Sequence, residues 1–439
     1  MSDPAAIAVH AQRRARLASA IGNGIAVIPT APERLRNRDA HYPYRFDSYF
    51  YYLTGFREPE AVLVVCGGDA PRSILFCREK NPEREIWDGY RHGPAAAREV
   101  FAMDEAHSIA ELDARMPDLL ADRDALHVHL GEDAAWDGRV LGWVNVVRGR
   151  ARAGVRAPGE IRDVRGALDE MRLVKDAHEI ALMRRAGTIS AAAHRAAMVA
   201  AKPGAAEYEI EAVLLHEFRR SGAQAPAYTS IVAGGANACV LHYVENSATL
   251  ADGDLLLIDA GCELDGYAAD ITRTFPVSGR FSGAQRAVYE LVLAAQAAAV
   301  AAVKPGARWN EPHDAAVRVL ARGMIDLKLL GGSLDAVLEQ ESYRQFYMHR
   351  TGHWLGLDVH DAGDYKRDGQ WRELQPGMVL TVEPGCYIRP AAGVPDAFFN
   401  IGIRIEDDAL VTGDGSELLT AAAPKAIADI EAWMREQRR

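Results

Sequence analysis

"DAHEIALMRRAGTISAAAHRAAMVAAKPG", Asp176 to Gly204, decides how the rest of this 439-residue chain is read. Asp176 and Glu179 stand three apart, as the N-cap and N3 residues of a capping box do, and Ala177 to Ala201 holds almost nothing but helix formers until Lys-Pro-Gly stops it. A second helical phrase, "YEIEAVLLHEFRRSG", begins at Tyr208. The same order then returns. Ser282 and Gln285 make another capping box, "AQRAVYELVLAAQAAAVAAV" reads as helix, and Lys304-Pro305-Gly306 ends it 102 residues after the first stop. "HDAAVRVLARGMID" supplies the next helix, and short glycine-punctuated strands follow each pair. Lys-Pro-Gly alone is a common helix stop. Helix, stop, helix and strands, twice in one order, predicts a duplicated domain of pseudo-twofold αα-plus-sheet halves with a site between the halves.

Upstream the pattern changes. From Ile25 to about Val147, "GIAVIP", "YFYYLTGF", "EAVLVVCGG", "SILFCRE" and "ALHVHLG" read as strands between charged segments that suit helices, so this part is expected to be a smaller α/β domain. Val147 to Arg172 is rich in arginine, glycine and small residues and reads as a linker or a solvated basic face. The expected division is 1–170 and 171–439, in a mixed α/β (α+β) chain; 49% apolar residues suffice for two cores.

The net charge of −11 argues against a nucleic-acid or anionic-membrane surface, both of which call for clustered lysine and arginine. Five scattered cysteines, Cys66, Cys77, Cys239, Cys262 and Cys386, suit buried thiols in a reducing cytoplasm rather than a disulfide framework. The N-terminal segment lacks an apolar core leading to a cleavage site, and no window approaches ~18–20 apolar residues, so neither export nor membrane insertion is expected.

Candidate chemistry gathers in the duplicated part. In "DGDLLLIDAGCELDGYAADITRTF", Asp259 ends an apolar strand, Asp270 begins the return run, and "ELDG", Glu263 to Gly266, carries the Asp-Gly signal of a tight turn between them. A hairpin centred there is expected to set the two aspartates opposite one another, ~4.5–5.5 Å apart at Cβ. Opposed like charges destabilise a sheet unless a cation neutralises them. The second half offers Glu383 at the end of "GMVLTVEPG", and Glu406 in "IGIRIEDD", sharing a strand face with Arg404.

Three of the chain's fourteen histidines, His349, His353 and His360, fall within twelve residues in "MHRTGHWLGLDVHD". Gly352 and Gly356 argue for a loop or irregular strand there, not a zinc-binding helix. Four carboxylates and one imidazole form a hard donor set that suits Mn²⁺, with Zn²⁺ or Co²⁺ as alternatives. The remaining histidines, with His242 of "ANACVLHYVEN" as the fourth, are placed to hydrogen-bond a developing oxyanion and move protons.

Together, "LLIDAGCELDGYAADITRTFP", "MHRTGHWLGLDVHD", "MVLTVEPGCYI" and "IGIRIEDD" resemble the pita-bread metallopeptidases, and within them aminopeptidase P. "FDSYFYYLTGFREPEAVLVV" and "REIWDGYRHGP" extend the resemblance to that family's N-terminal domain. It implies a dinuclear centre, usually Mn²⁺, with Asp259, Asp270, His353, Glu383 and Glu406 as ligands. His242, His349 and His360 would surround the scissile bond and the proline pocket, with Tyr387 and Arg404 nearby; the strand face that Arg404 shares with Glu406 leads us to expect that it orients that carboxylate, with an entrance or substrate-binding role as the alternative. In some relatives residues matching Trp87 and Arg372 come from a neighbouring subunit, which implies a homodimer or homotetramer. The implied reaction is hydrolysis of the bond before a proline at the second position of a peptide, by a hydroxide bridging two metals, with Glu383 relaying the proton. Prolidase, restricted to Xaa-Pro dipeptides, is the alternative. Methionine aminopeptidase usually lacks so large an N-terminal domain, and a ligand-less peptide-binding module would not keep all five donors.

Overall fold

The computed structural model describes residues 4–438 and divides the chain into two compact units, Met1–Arg172 and Leu173–Arg439. In the first, a six-stranded sheet runs in the order Glu105–Ser108, Arg72–Cys77, Val62–Cys66, Ile25–Pro29, Ala125–Val128, Glu160–Arg162. Val62–Cys66 is antiparallel to both neighbours and the other pairings are parallel. Val62–Cys66 is wholly buried, which is why it reads as a continuous apolar run rather than an alternating one. Its Val62, Val64 and Cys66 pack with Leu112, Met116, Val140 and Trp143 of the helices Leu112–Leu120 and Ala134–Gly149.

Two expectations fail here. "YFYYLTGF" is not a strand: Ser48–Thr54 is a helix, capped by the Asp47 carboxylate on Phe50 N and closed by Gly55 at φ 66°. Six of its seven residues are buried, so no polar face marks the helical period. The segment expected as a linker or a solvated basic face is not a linker: it contributes Glu160–Arg162 as the sheet's edge strand and the helix Arg165–Leu173, while Arg148, Arg152, Arg156 and Arg162 are exposed, as a solvated face requires.

The second unit repeats one arrangement. Its helices Ala177–Ala200 and Gly283–Ala302 both begin with complete capping boxes, at Asp176/Glu179 and Ser282/Gln285. Each is followed by a second helix, Glu207–Arg220 or Glu311–Asp326, and then, after a short extra helix Leu334–Glu339 in the second half, by small antiparallel sheets. Ile231–Gly234, Leu255–Asp259 and Thr272–Pro276 form the main sheet of the first half; Val379–Val382, Asp407–Val411 and Ser416–Leu418 form that of the second. One apolar core joins Val232, Leu256, Ile258 and Phe275 of the first half to Leu380, Val382, Ile403 and Ile405 of the second.

The halves are also stitched by hydrogen bonds, Glu406 N to Thr272 O at 3.1 Å and Arg404 N to Thr274 Oγ1 at 3.2 Å. Arg273, fully buried, bonds Asp407 Oδ1 at 2.7 Å and the carbonyls of Thr272 and Glu406. The candidate carboxylates lie along this seam. All five cysteines are buried free thiols, and among the described residues no helix is long and apolar enough to cross a membrane.

Candidate active site

The hairpin closes on Asp265 and Gly266, at φ 51° and 86°, the two left-handed positions of a tight turn. Counting outward sets Leu264 opposite Tyr267 and Asp259 opposite Thr272. Asp270 is therefore the diagonal neighbour of Asp259 on the same side, not its direct partner. The expected register would have put Leu264 in a left-handed turn position, which a branched side chain disfavours and Gly266 takes freely.

The aspartates nevertheless meet, through a residue the sequence reading missed. The Tyr228 hydroxyl lies 2.5 Å from Asp259 Oδ1 and contacts Asp270 Oδ1 as well. Burial, then the charges of Asp259 and Asp270, push the phenol well above its ordinary range, so it keeps one proton and can donate it to only one of the two carboxylates.

Around this pair stand the other donors. Asp270, His353 and Glu406 each bring a ligand atom within 4.8 Å of one another. His353 Nε2 is 3.4 Å from Asp270 Oδ2 and 3.8 Å from Glu383 Oε1. Its Nδ1 lies 2.9 Å from the Trp354 carbonyl; a carbonyl only accepts, so Nδ1 carries a proton and Nε2 faces the carboxylates. Glu406 Oε2 accepts from Thr272 Oγ1 at 2.5 Å.

Electrostatically the group is short of positive charge. Burial, then Asp259, raises the Asp270 pKa; burial, then Asp270 and Glu383, raises Glu406 well above the carboxylate range; burial lifts Glu383 to about 7 despite His353 and Arg404. Burial opposes a charge on His353, but Asp270 and Glu383 outweigh it and raise that imidazole to about 9. Buried carboxylates competing for protons, and an imidazole nitrogen aimed at them, are what divalent cations would neutralise, and the donors are hard oxygens and one nitrogen. The residues present fit the metal.

The histidine segment is an extended loop, as expected, laid against the strand Val379–Val382. Thr381 N bonds His353 O at 2.9 Å, Leu355 N bonds Val379 O at 3.1 Å, and Glu383 N bonds Thr351 O at 2.8 Å. Gly352 permits this approach, since a Cβ there would stand 2.0 Å from Thr381 O.

His349 donates from Nδ1 to its neighbour's carbonyl, Arg350 O, at 2.7 Å, so its Nε2 accepts from the Tyr387 hydroxyl at 2.9 Å. Tyr387 in turn accepts from Arg404 Nη1 at 3.0 Å, and Arg404 Nη2 reaches Asp259 Oδ2 at 2.6 Å. Arg404 thus grips Asp259 and Tyr387 directly and reaches Glu406 through Thr272, whose Oγ1 accepts from Arg404 Nε at 3.1 Å and donates to Glu406 Oε2. Burial, then Arg404, lowers His349 to about 3, and burial, then the charges of His353 and His242, lowers His360. The His353 and His360 rings meet edge to face at 4.3 Å. His242 is exposed on the loop after the short 3-10 turn Gly235–Cys239.

The remaining two candidates lie one in each unit. Trp87 lies in the first unit, 82% exposed on the helix Pro82–Asp88, none of whose residues is buried. Arg372 is buried within the second unit, its backbone bonded to Tyr365 and Trp309. Asp408 was also missed: its Oδ2 accepts from Asp270 N at 3.1 Å, and the Glu406-Asp407-Asp408 run was the signal for it.

Comparison with known proteins agrees with this geometry. Residues 181–413 match the model of metallopeptidase family M24, and residues 10–129 match that of the aminopeptidase P N-terminal domain. The chain is 47% identical to the Xaa-Pro aminopeptidase of Haemophilus influenzae over 96% of each chain. It superposes on the aminopeptidase PepP of Pseudomonas aeruginosa with a TM-score of 0.97 and 50% identity, covering 98% of both chains. On zinc-substituted Escherichia coli aminopeptidase P in complex with product the TM-score is 0.96, with 44% identity and 99% of both chains covered. The chain belongs to metallopeptidase family M24, and within it to the aminopeptidase P enzymes, with the pita-bread catalytic domain that the duplicated helices and strands build.

Proposed function

We propose that this metal-dependent aminopeptidase removes the N-terminal residue of peptides whose second residue is proline, at two divalent cations, Mn²⁺ first among them, held by Asp259, Asp270, His353, Glu383 and Glu406. The observation that carries it is the meeting of Asp270, His353 and Glu406 within 4.8 Å at the seam of the two halves. Relatives named Xaa-Pro aminopeptidase support the substrate, as does a similar Escherichia coli enzyme solved with the inhibitor Pro-Leu. Nothing favours the dipeptide-restricted prolidase alternative.

Bound cations of this kind act as Lewis acids and lower the pKa of water into the neutral range. The chain's own residues do the rest. Glu383, lifted to about 7 by burial in the metal-free protein, takes the proton of the attacking water at a carboxylate oxygen and delivers it to the leaving prolyl nitrogen. That nitrogen has no hydrogen of its own in the peptide, so recognition falls to shape and to the carbonyl. His242 and His360 hydrogen-bond the oxygen that gains charge as the carbonyl becomes tetrahedral, an interaction stronger in the transition state than in the ground state. Neutral His349, tied to Tyr387, Arg404 and Asp259, is a preorganised wall for the prolyl ring.

The exposed Ile86, Trp87 and Tyr90 support a homo-oligomer in which Trp87 serves a neighbouring site together with Arg372. Five buried thiols suit a reducing cytoplasm.

Asp270→Ala tests the donor set: turnover should vanish while the fold persists, and retained activity would refute it. Comparing Gly-Pro with a longer peptide led by Gly-Pro separates the two substrate readings, since an enzyme that cuts only the dipeptide is a prolidase.

A further inference from the structure

The loop that carries His242 is gathered by one carboxylate that the mechanism above does not use. Glu207, the first residue of the helix Glu207–Arg220, is fully buried. Its Oε1 accepts from Gly234 N at 2.7 Å and Asn237 Nδ2 at 3.1 Å, and its Oε2 accepts from Tyr243 Oη and Ala248 N, both at 2.8 Å. Its own amide donates to Ala248 O at 2.9 Å. The four donors thus come from the start, middle and end of 234–248. No lysine or arginine pairs with Glu207 among the described residues.

A buried carboxylate without a cation is costly unless donors surround it. Here they all come from one segment, most of which needs holding. Val240 to Ala248 forms neither helix nor strand, and His242 is exposed between Val240 and Val244, themselves 45% and 49% exposed. Arg389 bonds Cys239 O, and Asn246 bonds Val232 N and Ser230 O, so these two side chains fix the flanks. Of the three, Glu207 alone reaches Tyr243, the residue next to His242.

We propose that Glu207 is a positioning residue for His242: its carboxylate sets the conformation of 234–248 so that the imidazole meets the reacting carbonyl. This rests on the reading of His242 as a transition-state contact. Glu207 itself touches no substrate.

Glu207→Gln tests it. The amide keeps the size, but has one acceptor oxygen and turns an NH2 toward two of the four donors. On an Xaa-Pro peptide kcat should fall about tenfold or more with KM little changed, the pattern of an interaction made in the transition state. In a His242→Ala background the same substitution should change kcat by less than about twofold, since coupled sites are non-additive. Hydrogen exchange, followed without metal, should accelerate in 234–248 and stay unchanged in Gly283–Ala302.

Equal losses in both backgrounds, or exchange that is unchanged or raised everywhere, overturn the assignment. So does a His242→Ala enzyme with full activity. Should Glu207→Gln fail to fold, Tyr243→Phe removes one of the four donors and carries the same cycle. An Xaa-Pro peptide left intact by the unsubstituted enzyme refutes the reaction instead, and the exchange comparison still decides the role of Glu207.

Discussion

Lys175→Met separates the buried electrostatics of the histidine loop from its metal chemistry. Lys175 Nζ lies 2.9 Å from Asp361 Oδ2, and both side chains are 1% exposed. Asp361 follows His360 and closes the loop: its amide bonds Trp354 O at 2.9 Å and its Oδ1 accepts from Asp358 N at 3.2 Å. Lys175 is anchored in turn by its amide on Gly377 O at 2.8 Å. Substituting methionine keeps the stem and deletes the positive charge that faces Asp361 Oδ2 in a site closed to water. Breaking a buried pair from one side costs about 3–5 kcal/mol.

Removing the charge of Asp361 as well should restore most of this. In Lys175→Met/Asp361→Asn a neutral amide oxygen still accepts from Asp358 N, and stability should return to within about 2 kcal/mol of the original. Urea unfolding of the three proteins, in chelator so that metal binding adds nothing, reads both numbers. A single-variant loss below about 1 kcal/mol, the scale of an exposed pair, would refute the reasoning. So would a double variant no more stable than the single one.

Gly261→Ala should loosen metal binding about tenfold or more and destabilise the catalytic unit by about 1–3 kcal/mol or more. A Cβ there would stand 1.7 Å from Ala269 O, forcing apart the hairpin arms that carry Asp259 and Asp270; calorimetric metal titration and thermal unfolding measure the two effects. His194 makes stability fall in acid. It is fully buried, with Nε2 2.9 Å from Ala260 O and Nδ1 without a hydrogen-bond partner, and burial lowers its pKa from 6.5 to about 4. As pH falls below 6.5 the unfolded chain takes up the proton first, so stability is lost between 6.5 and 4, about 3 kcal/mol in all at about 1.4 per pH unit. His194→Gln should flatten that part of the stability–pH curve, and an unchanged slope would refute the assignment.

The helices were legible because their signals are local. Asp176/Glu179 and Ser282/Gln285 announce their own starts, and Lys-Pro-Gly its own stops, without knowledge of what packs above them. Ser48–Thr54 was misread because its surroundings bury nearly every residue, and the one local clue, the Asp47 cap, sits outside the apolar run. In the site, the clustered histidines and strand-end carboxylates were legible because such groups are unusual in apolar segments. Tyr228 was not: a single tyrosine in "APAYTS" has no pattern, and its importance comes from two carboxylates more than thirty residues downstream. The link from Arg404 to Glu406 was legible from their shared strand face, but its relay through Thr272 and the direct bond to Asp259 were not, since a strand face says nothing of what lies across the seam between halves.

The most direct test of the central claim is hydrolysis of two matched peptides, one beginning Arg-Pro-Pro and the other Arg-Ala-Pro, by protein stripped with chelator and then supplied with Mn²⁺. Release of arginine from the first peptide alone, and only after metal is returned, is the predicted result. Arginine released equally from both peptides, or from the first with the metal still removed, would contradict it.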